Sequence, residues 1–174
     1  MVQSLDITRE ADDSKKHEAF MALALREALK AAKIGEIPIG AVIVKDGKVI
    51  SRGYNYTERG KDPTLHAEMV AIRRAAKKLD AWRLIGCTMY VTVEPCPMCA
   101  GAALLARLDA VVAGAGSDRS GACGSVKDIL ASGGLNHRVD YSVGIMEAEC
   151  AALLSGFFKD LRTERDGDAD GEKN

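Results

Sequence analysis

The sequence has few aromatic residues and prolines, and it lacks any long apolar segment. Aromatic residues make up 5% of its 174 residues, and proline occurs four times. No apolar run approaches the roughly 18 residues of a membrane span, and the N-terminal segment has no apolar signal core. The five cysteines are an odd number in a chain large enough to fold without disulfides. We therefore exclude membrane-spanning and disulfide-rich proteins, and we expect reduced thiols and a cytoplasmic location.

The composition is that of a globular protein, with 47% hydrophobic and 28% charged residues. Its length fits one domain. Both ends are polar and acidic, so we expect flexible tails at residues 1–14 and 163–174 around a domain at 15–162. Without these ends the chain has 21 basic and 16 acidic residues. A body of net charge +5 can contact a polyanion, although the same charge is equally typical of a solvated surface.

Apolar periodicity and turn residues predict alternating helices and strands in this domain. Thr64 is predicted to cap the helix at 66–79. Ser125 and Asp128 are predicted to cap a short helix at 125–130. Asp46-Gly47 is typical of a type I′ turn joining the first two strands. This alternation predicts an α/β fold, in which helices cover both faces of a mixed five-stranded sheet in three α/β/α layers. The predicted helices are 17–33, 66–79, 96–106, 125–130 and 147–162, and the predicted strands are 37–44, 48–53, 88–93, 109–114 and 138–143.

Two short motifs supply donors that suit a zinc ion. The sequences HAE at 66–68 and PCPMC at 95–99 each open a predicted helix, where the helix dipole favours thiolates. Together His66, Cys96 and Cys99 provide one imidazole and two thiols. Three protein ligands leave a fourth position for water, as in catalytic zinc sites, whereas structural sites usually have four protein ligands. We therefore predict a catalytic site with one zinc ion per subunit.

Glu68 is the natural proton carrier for such a site, because zinc activates water but a nearby group must move its protons. On an ideal helix Glu68 and His66 point roughly 200° apart. Both can still face the metal if His66 stands at the non-helical position before the helix or in its first turn. The order H-x-E followed by P-C-x-x-C is typical of zinc nucleobase deaminases.

Two other interpretations of these motifs remain open. Alone, the CxxC pair is also found in redox sites, and a closed structural zinc site needs only one more ligand. Glu68 favours catalysis, because a structural site has no use for a poised carboxylate. The residues that offer a fourth ligand are Cys87, Cys123, Cys150, His17 and His137.

Several segments of the chain resemble the cytidine deaminase superfamily and, within it, the bacterial tRNA-specific adenosine deaminases. The resemblance covers about residues 17–162 and includes IPIGAVIV, DPTLHAE and YVTVEPCPMCAGA. The segments LNHRV and ECAALLSGFF resemble the tRNA enzymes specifically. The resemblance implies a cytidine deaminase-like fold, zinc bound by His66, Cys96 and Cys99, and Glu68 as the catalytic residue. It also implies that Asn55 contacts the purine and that Ile39 forms a wall of its pocket.

The reaction implied by this resemblance is the hydrolytic deamination of adenosine to inosine at the wobble position of a tRNA. The usual bacterial target is the arginine tRNA with an ACG anticodon, and similar enzymes are homodimers. Phe158 and Lys159 are candidate contacts to the anticodon loop, with packing of the Phe side chain in the core as the alternative. Relatives often have Asp after a Gly-Ala-x run where this chain has Ser117. Asp118 follows one place later, so the sequence leaves open whether the usual RNA contact is made at this loop.

Two further functions remain as alternatives. The first is a deaminase of free guanine or cytosine, which shares the zinc motif but needs no basic surface. The second is a zinc-stabilised RNA-binding module without catalysis, which the intact Glu68 argues against.

Overall fold

The computed structural model describes residues 3–131 and 136–171, with side chains described for 13–131 and 136–163. The helices are α1 (Gln3–Lys33), α2 (Thr57–Gly60), α3 (Ala67–Leu79), α4 (Pro97–Leu105) and α5 (Glu147–Gly171). The strands are β1 (Gly40–Lys45), β2 (Lys48–Tyr54), β3 (Cys87–Val93), β4 (Ala110–Ala115) and β5 (Asp140–Val143).

The five strands form one mixed sheet in the order β2-β1-β3-β4-β5. β1 is antiparallel to both of its neighbours, whereas β3, β4 and β5 run parallel. Asp46 and Gly47 have φ angles of 49° and 70°, which suit the turn predicted between β1 and β2. The predicted mixed five-stranded sheet is therefore confirmed.

Alternate residues of the strands feed two separate apolar cores, because successive side chains point to opposite faces of a sheet. On one face, Met89 and Val91 of β3 pack with the alanine-rich inner sides of α3 and α4. On the other face, Tyr90 packs with Met21 of α1 and Cys150 of α5. Helices cover both faces, so the predicted three-layer α/β/α arrangement is confirmed.

The structure differs from the sequence predictions in the segment 125–130. This segment, predicted as a short helix, contains no helical residue. Asp128 instead forms an isolated antiparallel bridge with Cys123, and its carboxylate accepts hydrogen bonds from the Ala131 N–H at 2.9 Å and the Tyr141 hydroxyl at 2.8 Å. The prediction was wrong because the Asp128 carboxylate binds Ala131 and Tyr141, while the Ser125 N–H that it would meet in a capping box binds Glu94 at 3.2 Å. Between the second predicted strand and the second predicted helix, where the sequence predicts no regular element, lies the short helix α2.

Helices α1 and α5 extend beyond their predicted limits. α1 begins at Gln3 and α5 ends at Gly171, so helical backbone continues into the segments predicted as tails. The side chains of residues 3–12 and 164–171 lie outside the described part. The division into a domain and two tails therefore remains a prediction. Over the ranges 3–131 and 136–171, no helix has both the length and the apolar character needed to cross a membrane.

Candidate active site

The helices α3 and α4 bring their N-terminal ends together on one side of the sheet. His66 is the N-cap residue of α3, with an extended backbone (φ −67°, ψ 153°). Cys96 holds the same position in α4, followed by Pro97, whose missing N–H costs nothing in the first turn. Cys99 is buried in the first turn of α4. Two helix starts thus supply all three predicted zinc ligands.

The donor atoms of these residues form a compact group. His66 Nδ1 lies 3.7 Å from Cys96 Sγ and 3.6 Å from Cys99 Sγ, and all three donors fall within 4.8 Å of one another. Within the described residues, no other set of three His, Cys, Asp or Glu side chains is so arranged. One imidazole and two thiols are a donor set that zinc prefers. The residues present therefore fit a zinc ion.

The two thiols of the group differ in acidity. Hydrogen bonds from Cys99 and from His66 outweigh the effect of burial and lower the pKa of Cys96 to about 4. The hydrogen bond to Cys96 and burial both raise the pKa of Cys99. The hydrogen bond with Cys96 also raises the pKa of His66. The Cys96 and Cys99 thiols thus share one proton. A bound cation would displace this proton, because metal ligation requires both cysteines as thiolates.

Glu68 lies in the first turn of α3 beside this group. Because His66 stands at the N-cap, outside the helix proper, the two side chains converge despite their spacing in sequence. Glu68 is only 3% exposed, and its Oε2 has no hydrogen-bond partner among the described residues. Burial raises the pKa of its carboxyl group, although its own backbone N–H and His66 act in the opposite direction. An unpaired buried carboxyl oxygen beside three donors is suited to exchange protons with a small polar molecule in the site.

No side chain of the described region provides a fourth protein ligand. His17 Nδ1 lies 2.9 Å from the Tyr90 hydroxyl, and His137 Nε2 lies 2.8 Å from the Leu108 carbonyl oxygen. The remaining cysteines, Cys87, Cys123 and Cys150, are buried within the apolar cores. The geometry favours an open three-ligand site over a closed structural one.

Asn55 and Ile39 lie next to the start of α3. The Asn55 Oδ1 accepts a hydrogen bond from the Ala67 N–H at 2.9 Å, and the Asn55 N–H donates to the Ile39 carbonyl oxygen at 3.1 Å. Asn55 thus caps α3 from another element, and the prediction that Thr64 does so was wrong. Thr64 instead donates its hydroxyl to Asp62 at 2.7 Å. The Asn55 carboxamide is thereby fixed at the start of α3, next to His66.

Glu94 is a buried acidic residue close to Cys96 in the chain that the sequence motifs did not single out. Its buried carboxylate accepts backbone N–H bonds from Cys123 at 2.7 Å, Ser117 at 3.0 Å and Ser125 at 3.2 Å. Burial alone would raise the pKa of Glu94, but these bonds and one from the Ser125 side chain lower it below its usual value. Glu94 thereby fastens the loop after β4 to the segment that carries Cys96. The available signal was an acidic residue at the end of a buried apolar strand.

The predicted RNA contacts Phe158 and Lys159 are distant in sequence from the zinc-donor residues. Phe158 is 38% exposed, and its ring makes an edge-to-face contact with Phe157. The alternative that Phe158 packs in the core is therefore wrong for the isolated chain. Lys159 is exposed on the same helix. Ser117 uses its N–H to bind Glu94, which gives this position a structural role whatever its side chain contacts.

Comparison with known proteins identifies the family. Residues 14–115 match the cytidine and deoxycytidylate deaminase zinc-binding region. The tRNA-specific adenosine deaminase of Bacillus subtilis is 45% identical over 148 residues, which cover 85% of this chain and 92% of that protein. A solved structure from a study of A-to-I editing by tRNA:A34 deaminases at the wobble position superposes with a TM-score of 0.76 at 43% identity, covering 78% and 99% of the two chains.

A guanine deaminase from Bacillus subtilis is also similar, but over a shorter stretch. It is 47% identical over 57% of this chain and 64% of its own, with a TM-score of 0.55. The similarity to the tRNA deaminases covers more of both chains. The chain belongs to the cytidine and deoxycytidylate deaminase zinc-binding family, together with the tRNA-specific adenosine deaminases.

Proposed function

We propose that this protein hydrolyses adenosine to inosine at the wobble position of a tRNA anticodon. The observation that carries the proposal is the meeting of His66, Cys96 and Cys99 beside the buried, unpaired carboxyl oxygen of Glu68. The relatives that match most of the chain act on tRNA adenosine by name, which supports the choice of substrate.

His66, Cys96 and Cys99 would hold the zinc ion, which supplies the activation of a water molecule at neutral pH. Glu68 Oε2 then accepts a proton from that water and donates it to N1 of adenine while the water oxygen adds at C6. Glu68 next takes the remaining proton from the new C6 hydroxyl and passes it to the exocyclic amine, so that the C6–N bond breaks, ammonia leaves and the C6 carbonyl of inosine forms. The raised pKa of Glu68 suits both transfers, because a carboxyl group that ionises nearer neutral pH gives up its proton and regains it readily.

Asn55 and Ile39 are proposed to hold the purine. Asn55 has its oxygen fixed by the start of α3, so its Nδ2 can donate to an acceptor on the purine. Ile39, half-buried next to it, offers an apolar wall. The base must leave its stack to reach them, which costs least in a single-stranded loop and therefore favours an anticodon loop over a duplex.

The finer features of the substrate and assembly are part of the proposal. We infer that the arginine tRNA with an ACG anticodon is the target, that two copies of the chain form a homodimer, and that the protein acts in the cytoplasm. Phe158 and Lys159 are proposed contacts to the anticodon loop, since an exposed aromatic ring can stack on a base and a lysine can bind a phosphate.

The test is inosine formation by the zinc-loaded protein on an ACG anticodon stem-loop, with free adenosine, guanine and cytosine assayed in parallel. We expect inosine in the stem-loop only. The Glu68→Gln variant should retain zinc and lose turnover by about 10²–10⁴-fold, the usual contribution of a general acid-base group. Full activity of that variant contradicts the mechanism.

The second candidate function is deamination of a free base. The similarity to a guanine deaminase over part of the chain favours guanine as its substrate. Turnover of guanine together with inert RNA would establish this alternative and leave Glu68 in the same role.

A further inference from the structure

The outward face of α3 carries four cations close to the candidate active site. Arg73, Arg74, Lys77 and Lys78 are all exposed, and we call them the α3 basic surface. They recur at one- and four-residue intervals, so they share one side of the helix. The sole acidic residue of α3, Glu68, is buried in the candidate active site and does not neutralise them.

A groove runs along the N-terminal half of α3 beside this surface. Its volume is about 320 Å³, and it is lined by Tyr54, Tyr56, Leu65, Val70, Arg73 and Arg74. Tyr56 directly follows Asn55 in the chain, and Leu65 directly precedes His66. Two groove residues are thus chain neighbours of candidate site residues, and the groove walls combine the 40%-exposed Tyr56 with two arginines. Unstacked RNA bases stack on aromatic rings and on guanidinium groups, and guanidinium groups also bind backbone phosphates.

Contacts with the surrounding elements leave most of the positive charge available. The Arg74 guanidinium donates to the Arg52 carbonyl oxygen at 2.8 Å, which holds the guanidinium against β2 without neutralising its charge. Arg73 is close enough to Asp62 to help lower the pKa of that exposed carboxyl, after the larger effect of hydrogen bonds from Thr64. Asp62 is thus the acidic group that offsets part of the charge of Arg73.

We propose that the α3 basic surface binds the phosphate backbone of the RNA beside the deaminated nucleotide. This inference rests on the proposed function, because it takes RNA as the substrate. From His66 to Lys78 the helix rises roughly 18 Å, enough to follow several successive phosphates away from the site. Contacts of this kind carry no sequence information; they set affinity and orientation.

The experiment compares three double variants that each remove two positive charges: Arg73→Gln/Arg74→Gln, Lys77→Gln/Lys78→Gln and the control Lys15→Gln/Lys16→Gln. Lys15 and Lys16 are exposed on α1, in the layer on the opposite side of the sheet. Dissociation constants for the stem-loop are measured over a range of salt concentrations with zinc-loaded protein, in a Glu68→Ala background that prevents turnover. Single-turnover rates at saturating RNA are measured with Glu68 intact.

Each α3 variant should weaken stem-loop binding roughly tenfold near physiological salt and make the plot of log affinity against log salt shallower by roughly 1.5. The control should match the parent protein. In the α3 variants the single-turnover rate at saturating RNA should fall much less than the affinity, because the α3 cations do not contact the reacting atoms. A non-cognate hairpin should show the same losses, because phosphate contacts do not depend on sequence.

The proposal is overturned if the α3 variants keep the affinity and salt slope of the control. It is also overturned if the parent protein binds no stem-loop RNA. RNA that binds with the expected salt slopes but is never converted to inosine would refute the proposed function alone, since the binding assay does not require turnover.

Discussion

The Glu94 carboxylate accepts the backbone N–H of Cys123 at 2.7 Å, which joins two loops that are distant in sequence. One loop carries the zinc-binding Cys96, and the other contains Ser117 and Ser125, whose N–H groups bind the same carboxylate. A charged acceptor that receives three backbone donors holds both loops in one arrangement, because each bond is charge-assisted.

Replacing Glu94 with Gln should therefore loosen the zinc site. The amide keeps one acceptor oxygen and loses the charge, so we expect a loss of about 1–3 kcal/mol in the free energy of unfolding and faster zinc release to a chelator. The matched control is Glu36→Gln, which alters another buried carboxylate that accepts backbone N–H bonds, from Arg59 at 2.8 Å and Glu58 at 3.3 Å. Equal zinc-release rates in the two variants would show that Glu94 has no special link to the metal.

Cys99→Ala should abolish stable zinc binding, because it removes one of three donors from a site without a protein substitute within the described residues. We expect metal content to fall from one zinc ion per chain to a small fraction, together with a lower melting temperature. Cys87→Ala removes a thiol that is equally buried, in the apolar core, and should retain zinc. Metal analysis after dialysis checks both variants, and a zinc-replete Cys99→Ala protein would refute the assigned ligand set.

Gly53→Ala should disturb the site by displacing the start of α3. A Cβ atom at Gly53 would overlap the carbonyl oxygen of Ala67, the residue between His66 and Glu68. Gly40→Ala produces the same kind of overlap with Ala24 of α1 on the other side of the sheet. Both variants should lose about 1–3 kcal/mol of stability. Only Gly53→Ala should also reduce kcat/KM beyond its effect on the folded fraction, which denaturation and kinetic assays together would test.

Stability should decline in alkaline solution partly because of Cys150. This thiol is 2% exposed, and burial, with a contribution from Glu149, raises its pKa to about 11, against about 8.5 in an unfolded chain. The folded protein thus holds the proton more tightly, so the stabilisation is complete below about pH 8.5 and is lost as the pH rises toward 11.

Between about pH 8.5 and 11, the free energy of unfolding of Cys150→Ser should fall less steeply than that of the parent protein. The difference in slope should be at most about 1.4 kcal/mol per pH unit. Urea unfolding of both proteins at a series of pH values measures this difference. The other buried thiols are present in both proteins, so their contributions cancel. Parallel stability curves for the two proteins would contradict the assignment.

The sequence was sufficient to predict features that depend on neighbouring residues or on short motifs with fixed spacing. The Asp46-Gly47 turn follows from backbone preferences, and the meeting of His66 with Cys96 follows from two motifs placed at helix starts. The convergence of Glu68 with His66 could be stated only as a condition, because it depends on whether the helix begins before or after His66. The structure meets that condition with His66 at the N-cap.

Features created by distant backbone groups could not be predicted. Glu94 binds N–H groups more than twenty residues away, and nothing in their side chains marks them as its partners. The capping signal of Ser125 and Asp128 failed for the same reason, since tertiary partners claim both residues. The cap of α3 comes from Asn55, which a local search around Thr64 would not find.

During synthesis, the zinc-binding residues leave the ribosome before the backbone groups that bind the Glu94 carboxylate. All three zinc donors have been synthesised once Cys99 emerges, whereas the N–H groups that secure Glu94 belong to residues 117–125. At about 5–20 residues per second, a nascent chain exposes its CxxC pair for an interval of order seconds before the securing loop exists. Metal capture can therefore begin before these bonds form, and the later loop then holds the segment that carries Cys96 in place.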